Sequence, residues 1–191
     1  MKKIVGICGV ARSGKDSLFK IIKSSLEPYN INCCRISIAD SLRQELSEFL
    51  HKQLGISPWT ECHSEKEIIR EVLVSWSRVR RSLDKDYWIK RIDSQLQDGY
   101  NVITDVRYEN EIEYIKRLDG KCIFVERLID NEGTPLRPPN NEELINTVPL
   151  KDICDSTLTW NNLDNYTHNQ LINIAENQLS VLFNNNNPYS I

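Results

Sequence analysis

The chain has 191 residues, 40% hydrophobic and 27% charged, which is the make-up of one ordinary globular domain rather than of a disordered or collagenous chain. Its 24 basic and 27 acidic side chains leave a net charge of −3, whereas a protein that binds nucleic acid polymers carries a positive excess to neutralise phosphates. No apolar run approaches the roughly 20 residues that cross a bilayer, and the apolar start Ile4 to Ala11 is cut by Arg12 and Lys15, so neither a membrane span nor a signal peptide is expected.

Strand-length apolar runs alternate with longer helical patterns, which predicts an α/β fold with a parallel sheet of about five strands and helices on both faces. Strands are expected at Lys3 to Cys8, Cys33 to Ile38, Asn101 to Thr104, Lys121 to Glu126 and Thr157 to Asn161. Helices are expected at Lys15 to Leu26, Asp40 to Leu54, Glu109 to Leu118 and Asn165 to Phe183, with at least two more in Ser64 to Gln97 broken near Leu83 to Asp86. The six cysteines form no CxxC pair, and Cys8 and Cys122 fall inside apolar runs, which favours a reduced, cytoplasmic setting. His51, His63 and His168 stand apart from one another, without zinc-ligand spacing.

The first strand runs into Gly9, Val10, Ala11, Arg12, Ser13, Gly14, Lys15, Asp16 and Ser17, and a helical pattern follows at once. This is the G-x-x-x-x-G-K spacing of a phosphate-binding loop in its strand, loop, helix setting. Glycines let successive N–H groups face one concavity, the helix N-terminus adds partial positive charge, and Lys15 reaches the outer phosphates, so a triphosphate is the expected occupant. The residue after the lysine is usually Ser or Thr, whose hydroxyl holds Mg²⁺; here it is Asp16, with Ser17 next. Asp16 reads either as a hard oxygen ligand for Mg²⁺ or as a helix-terminal carboxylate favoured by the macrodipole.

Residues 66 to 91 hold eight of the 24 basic side chains against four acidic ones. Such a run usually marks a solvated helix face. Arg70 and Arg81, however, are eleven residues apart and share one face of a continuous helix, where a phosphorylated acceptor would need cations. Next, Asp105 and Arg107 follow the apolar run Asn101 to Thr104. Ligands of open α/β sheets sit at the carboxyl ends of strands, so this pair should face the crevice that holds the phosphate loop; a pair capping the next helix is the other reading.

Asn131 to Asp152 contains Gly133, Pro135, Pro138, Pro139 and Pro149 and cannot hold a long helix or a central strand, so a surface excursion is expected. Residues 184 to 191, with four consecutive asparagines, read as a flexible tail.

Taken in order, GVARSGKDS, SIADSLRQEL, EVLVSWSRVRRSLDKDYWIKRI and NVITDVRYENEIEYIK resemble the phage- and virus-type deoxynucleoside monophosphate kinases of the P-loop kinase superfamily. The resemblance covers roughly residues 3 to 130, with a fainter echo at Thr157 to Leu171 around Asn161 and Asn162. It implies a P-loop NTPase three-layer αβα sandwich of the nucleoside monophosphate kinase type. Residues 1–183 would form a single kinase domain with a lid at about 128–152. It implies that Gly9, Ala11, Arg12, Ser13, Gly14, Lys15, Asp16 and Ser17 hold the ATP phosphates and Mg²⁺, with Asp16 and Ser17 nearest the metal. Asp40, Arg70, Arg81 and Arg107 would surround the acceptor monophosphate, Asp105 would lie near the reacting centre with Lys15 and Arg107, and Arg137 would belong to the lid. The partners implied are small molecules, ATP and a deoxynucleoside monophosphate, for a monomer or homodimer. Animal-type phosphomevalonate kinases share the GKD loop, the spaced arginines and the DVR block, which leaves another phosphorylated acceptor as the alternative; a non-catalytic nucleotide-binding regulator is the third reading.

Overall fold

Along the first strand, β1 (Lys2–Cys8), apolar residues occupy both faces, the pattern of a strand buried from two sides. The computed structural model describes residues 2–130, 132–161 and 165–183 and places β1 at the centre of a five-stranded, all-parallel sheet of order β2-β3-β1-β4-β5. The other strands are β2 (Cys33–Ile36), β3 (Gly99–Val106), β4 (Lys121–Arg127) and β5 (Ser156–Trp160). The helices are α1 (Lys15–Leu26), α2 (Ile38–Leu54), α3 (His63–Leu83), α4 (Glu109–Arg117), α5 (Asn141–Asn146) and α6 (His168–Phe183).

Two compact units make up the chain, one of residues 1–36 and 96–191, the other of residues 37–95. In the first, Val5 and Ile7 of β1 turn toward Leu18, Ile22 and Leu26 of α1 and Ala175, Leu179 and Leu182 of α6. The alternate position, Gly6, turns toward α4, where an added Cβ would lie 2.7 Å from Ile115 Cδ1. Helices thus cover both faces of the sheet, the three-layer αβα arrangement of P-loop proteins. Ile22 is fully buried, and truncating such a side chain to alanine costs about 2 to 5 kcal/mol. Because β1 pairs with β3 on one side and β4 on the other, the turn after β1 opens at the topological switch point, where such sheets bind ligands.

The second unit packs α2 against α3 through Leu46, Leu50, Ile56 and Ile69, followed by a 3₁₀ segment Ile89–Gln95. α3 is one unbroken helix of 21 residues that ends at Leu83, where the break is expected.

Three boundaries, and the structure of one loop, depart from the sequence expectation. β2 stops at Ile36 because Ser37 is the extended N-cap of α2, with φ −127°. β3 runs on to Val106, so Asp105 lies within the strand rather than after it. α6 starts at His168, not Asn165: Thr167 accepts the Gln170 N–H at 3.3 Å and the Gln170 side chain accepts the Thr167 N–H at 2.8 Å, closing a capping box. The proline-rich excursion carries more structure than its composition suggests, since Glu143, Thr147 and Leu150 are buried. The predicted tail and Asn162 lie outside the described residues. Among the described residues, no helix is long and apolar enough to cross a membrane.

Candidate active site

β1 ends at Cys8 and α1 begins at Lys15, so the phosphate-binding sequence is a six-residue loop between a central strand and a helix N-terminus. Gly9 has φ +138° and Gly14 φ +99°, conformations that side chains rarely adopt, and space forbids a side chain at either. A Cβ on Gly9 would meet the Val125 carbonyl at 2.4 Å, and one on Gly14 would meet Trp160 Cζ2 at 2.6 Å. The first N–H groups of α1 have no acceptor within the helix and add to its positive end.

Ser13 Oγ is fully buried within this loop and has no hydrogen-bond partner, a cost of about 1 to 3 kcal/mol for a group with none. An orphaned hydroxyl in a loop shaped by glycines fits an anionic ligand such as the ATP phosphates. Lys15 Nζ donates to the Gly9 and Val10 carbonyls at 2.7 and 2.8 Å. Burial holds its pKa below the usual lysine range, repulsion from Arg107 adds to this, and the carboxylates of Glu143, Asp16 and Asp105 oppose it.

Asp16 is 78% exposed in the first turn of α1, with Arg35 Nη2 3.7 Å away. Asp16 and Ser17 are hard oxygen donors, and the donor set suits Mg²⁺, which takes one or two protein oxygens together with substrate phosphates. Arg12 and Arg137 are both exposed.

Arg107 sits where β3 gives way to α4. Its backbone N–H donates to Glu111 Oε2 at 2.8 Å and its guanidinium meets Glu143 Oε1 at 3.3 Å. Glu143 also accepts the Ala11 N–H at 2.7 Å. Nothing in the residue pattern singled out Glu143; the one available signal is Asn140 three positions before it, a helix-capping pair after two prolines.

The second unit builds a separate polar cluster. Glu45 accepts from Trp76 Nε1 at 2.8 Å, Arg80 Nε at 2.7 Å, Tyr87 Oη at 2.6 Å and Arg91 Nη2 at 2.8 Å. Burial raises the Glu45 pKa, but the hydrogen bonds from Tyr87, Trp76 and Arg80 outweigh it and hold the carboxyl below its usual range. Beside it opens a cavity of about 570 Å³ lined by Asp40, Gln44, Trp59, Arg91 and Gln95, among others. Asp40, read from the sequence as a substrate residue, therefore lines a cavity, and it pairs with Arg43 at 2.7 Å. Arg70 is exposed, and Arg81 bonds to Ser77 Oγ. Sequence reasoning left out Arg80 and Arg91, because a run of alternating arginines does not reveal which of them turn toward a carboxylate on α2.

Among curated proteins none matches. Solved structures that resemble the chain include a shikimate kinase from Aquifex aeolicus, 14% identical over 95% of this chain and 97% of that one, with a TM-score of 0.47. They also include an APS kinase from Mycobacterium tuberculosis, 13% identical over 95% and 98%, TM-score 0.46, and a gluconokinase from Sinorhizobium meliloti, 13% identical over 95% and 92%, TM-score 0.43. The model of the phosphomevalonate kinase family matches residues 7–121, a stretch that contains the whole phosphate loop, both helices of the second unit and the end of β3 with Asp105 and Arg107. With that match over more than half its length, the chain belongs to the phosphomevalonate kinase family and is a P-loop kinase of small molecules.

Proposed function

We propose that this kinase transfers the γ-phosphoryl group of ATP to a deoxynucleoside monophosphate, giving the diphosphate and ADP. The observation that carries the choice of acceptor is the cavity of the second unit: Trp59, 47% exposed, offers an indole face on which a base can stack. Gln44 and Gln95 bring amides that can bond a base edge, and Arg91 brings a cation.

In this reading Gly9, Ala11, Arg12, Ser13, Gly14 and Lys15 bind the donor phosphates, and Asp16 and Ser17 would hold Mg²⁺, which neutralises phosphate charge when bound. An oxygen of the acceptor monophosphate attacks the γ-phosphorus while the bond to the β–γ bridging oxygen breaks and ADP leaves. The acceptor phosphate is already anionic near neutral pH, so no strong base is required; the side chains position the reactants and stabilise charge spread over the phosphoryl oxygens. Lys15 and Arg107 supply that stabilisation, with Asp105 nearby. Asp40, Arg70, Arg81 and Arg107 hold the acceptor, and the segment 128–152, with Arg137, covers the reacting phosphates.

A second reading, phosphorylation of phosphomevalonate, is favoured by the family match itself. An ADP-release assay over the four deoxynucleoside monophosphates, the ribonucleotides and phosphomevalonate decides. Turnover confined to phosphomevalonate selects the second reading, and no ADP release with any acceptor removes both. Trp59→Ala is expected to raise the KM of a nucleotide acceptor at least fivefold, roughly the value of one lost aromatic stacking contact.

A further inference from the structure

The phosphate loop already binds an anion that belongs to the chain. Glu143, 132 residues from Ala11 in sequence, reaches the loop so that Oε2 accepts the Ala11 N–H at 2.7 Å while Oε1 faces Arg107 Nη1 at 3.3 Å. Its side chain is 7% exposed, and Lys15 feels its charge. A glutamate three residues after an asparagine N-cap ordinarily folds back onto the N-cap N–H of its own helix. Only half of that arrangement is kept: Asn140 Oδ1 accepts the Glu143 N–H at 2.8 Å, but the Glu143 carboxylate is turned into the loop. α5, which carries it, has six residues and is tied to the turn after β3 by Tyr108 Oη donating to Glu142 at 2.6 Å and Thr147 Oγ1 donating to the Arg107 carbonyl at 3.5 Å.

We propose that Glu143 is a resident anion of the phosphate loop which nucleotide phosphate must displace, and that its displacement releases Arg107 to the phosphoryl group. The inference rests on the reading of Gly9 to Ser17 as the ATP-phosphate cradle. A carboxylate and a phosphate oxygen compete for the Ala11 N–H and for the field of Lys15 and Arg107, and two anions a few ångströms apart repel strongly. Nucleotide affinity is therefore reduced by the fraction of molecules in which Glu143 has already left the loop. α5 is suited to such movement, because it is short and leaves Leu144 and Ile145 51% and 69% exposed. Arg107 is held by the same carboxylate, so the arginine is freed only after the donor nucleotide has arrived, which couples donor binding to assembly of the site.

Calorimetric titration of the full chain with ATP and with inorganic tripolyphosphate tests this in the unmodified protein, Glu143→Gln, Glu143→Ala and Glu142→Gln. Both Glu143 substitutions should tighten binding of both ligands, by about fivefold or more, as expected when a competing state is removed. Glu142→Gln, which leaves the loop contact intact, should shift binding by less than about twofold. Unchanged or weaker binding by the Glu143 variants, or an equal gain in Glu142→Gln, overturns the inference. If the unmodified protein binds neither ATP nor tripolyphosphate, the phosphate-loop reading itself falls, a result distinct from either. Hydrogen exchange on the unmodified protein is independent of whether a variant folds: ATP without an acceptor, before the segment 128–152 closes over both substrates, should protect amides of residues 9–17 and expose those of residues 143–147, and protection of both segments by ATP alone overturns the inference.

Discussion

The indole Nε1 of Trp160 donates to the Ser13 carbonyl at 2.8 Å, so the last residue of β5 supports the floor of the phosphate loop. The bond is buried, and the same ring closes the space beside Gly14.

Trp160→Phe should therefore keep most of the packing but strand a buried carbonyl, with a loss of about 1 to 3 kcal/mol in stability and weaker ATP binding. Gly14→Ala should do far more damage to ATP binding, because the added Cβ collides with the indole at a φ of +99°. Equilibrium unfolding and ATP titration on both variants check the order. ATP affinity unchanged in Gly14→Ala would remove the loop from the donor site.

Lys15 gives two linked expectations. Lys15→Ala should lower kcat by about a hundredfold or more with little change in unfolding, since the side chain meets charge that develops in the transition state. In the free protein burial, helped by Arg107, lowers the Lys15 pKa from the usual 10.5, so the ammonium is lost earlier on the alkaline side than for an ordinary lysine. Bound phosphate favours the charged form and moves the pKa back up. The alkaline fall should thus appear in kcat/KM for ATP at lower pH than in kcat. Coincident alkaline limbs in the two profiles would show that Lys15 does not meet the phosphates.

The phosphate loop was legible because each of its parts is local: glycines at fixed spacing, a strand before and a helix after. The sheet was legible for the same reason, since Val5, Ile7, Val102, Ile123 and Val125 are buried strand residues whose apolarity needs no partner to be read. What escaped are side chains whose role depends on distant chain. Glu143 looks like any acidic residue in a polar, proline-rich stretch until the fold brings it to Ala11. Arg80 and Arg91 could not be told from Arg78 and Lys90, because the carboxylate that selects them, Glu45, lies 35 and 46 residues away. β3 runs two residues beyond its apolar stretch because the polar Asp105 stands in a strand whose backbone pairing continues to Val106.

Glu45 should anchor the second unit. Glu45→Ala leaves Arg80, Arg91, Trp76 and Tyr87 without their shared acceptor, and because the arginines are partly solvated the expected loss is about 2 kcal/mol, or a fall in Tm of about 4 to 8 °C. Its carboxyl is held below the ordinary 4.5 when folded, so its contribution is complete above that pH and is lost as pH falls through the lower folded value. The stability gap between the unmodified protein and Glu45→Gln, measured by urea unfolding, should therefore narrow on acidification below about pH 4.5. A gap that is constant down to pH 3 would mean that the ionised carboxylate contributes nothing.

In the proposed function Arg70, Arg81 and Arg107 hold the acceptor phosphate, and kinetics can separate that role from a solvated basic face. A charge-assisted contact from arginine to phosphate is worth roughly 1.5 to 3 kcal/mol, so alanine at each should raise the acceptor KM about tenfold or more while the KM for ATP moves far less. Lysine should restore part of the loss, keeping the charge but not the planar fork. Arg70 and Arg81 lie on the one continuous helix α3, eleven residues apart, which sets their Cα atoms about 16 Å apart along its axis. Both reach a single phosphate only if each side chain extends toward the other, and such a shared contact makes their effects interdependent. The double variant Arg70→Ala/Arg81→Ala should then cost less than the two single effects combined, because losing either arginine lets the phosphate shift away from the other. Strictly additive effects would mean that the two arginines touch different groups of the acceptor. Values of both KM and kcat within about twofold of the unmodified protein in all three single variants would leave the arginines as surface charge, since surface substitutions remote from special features change little.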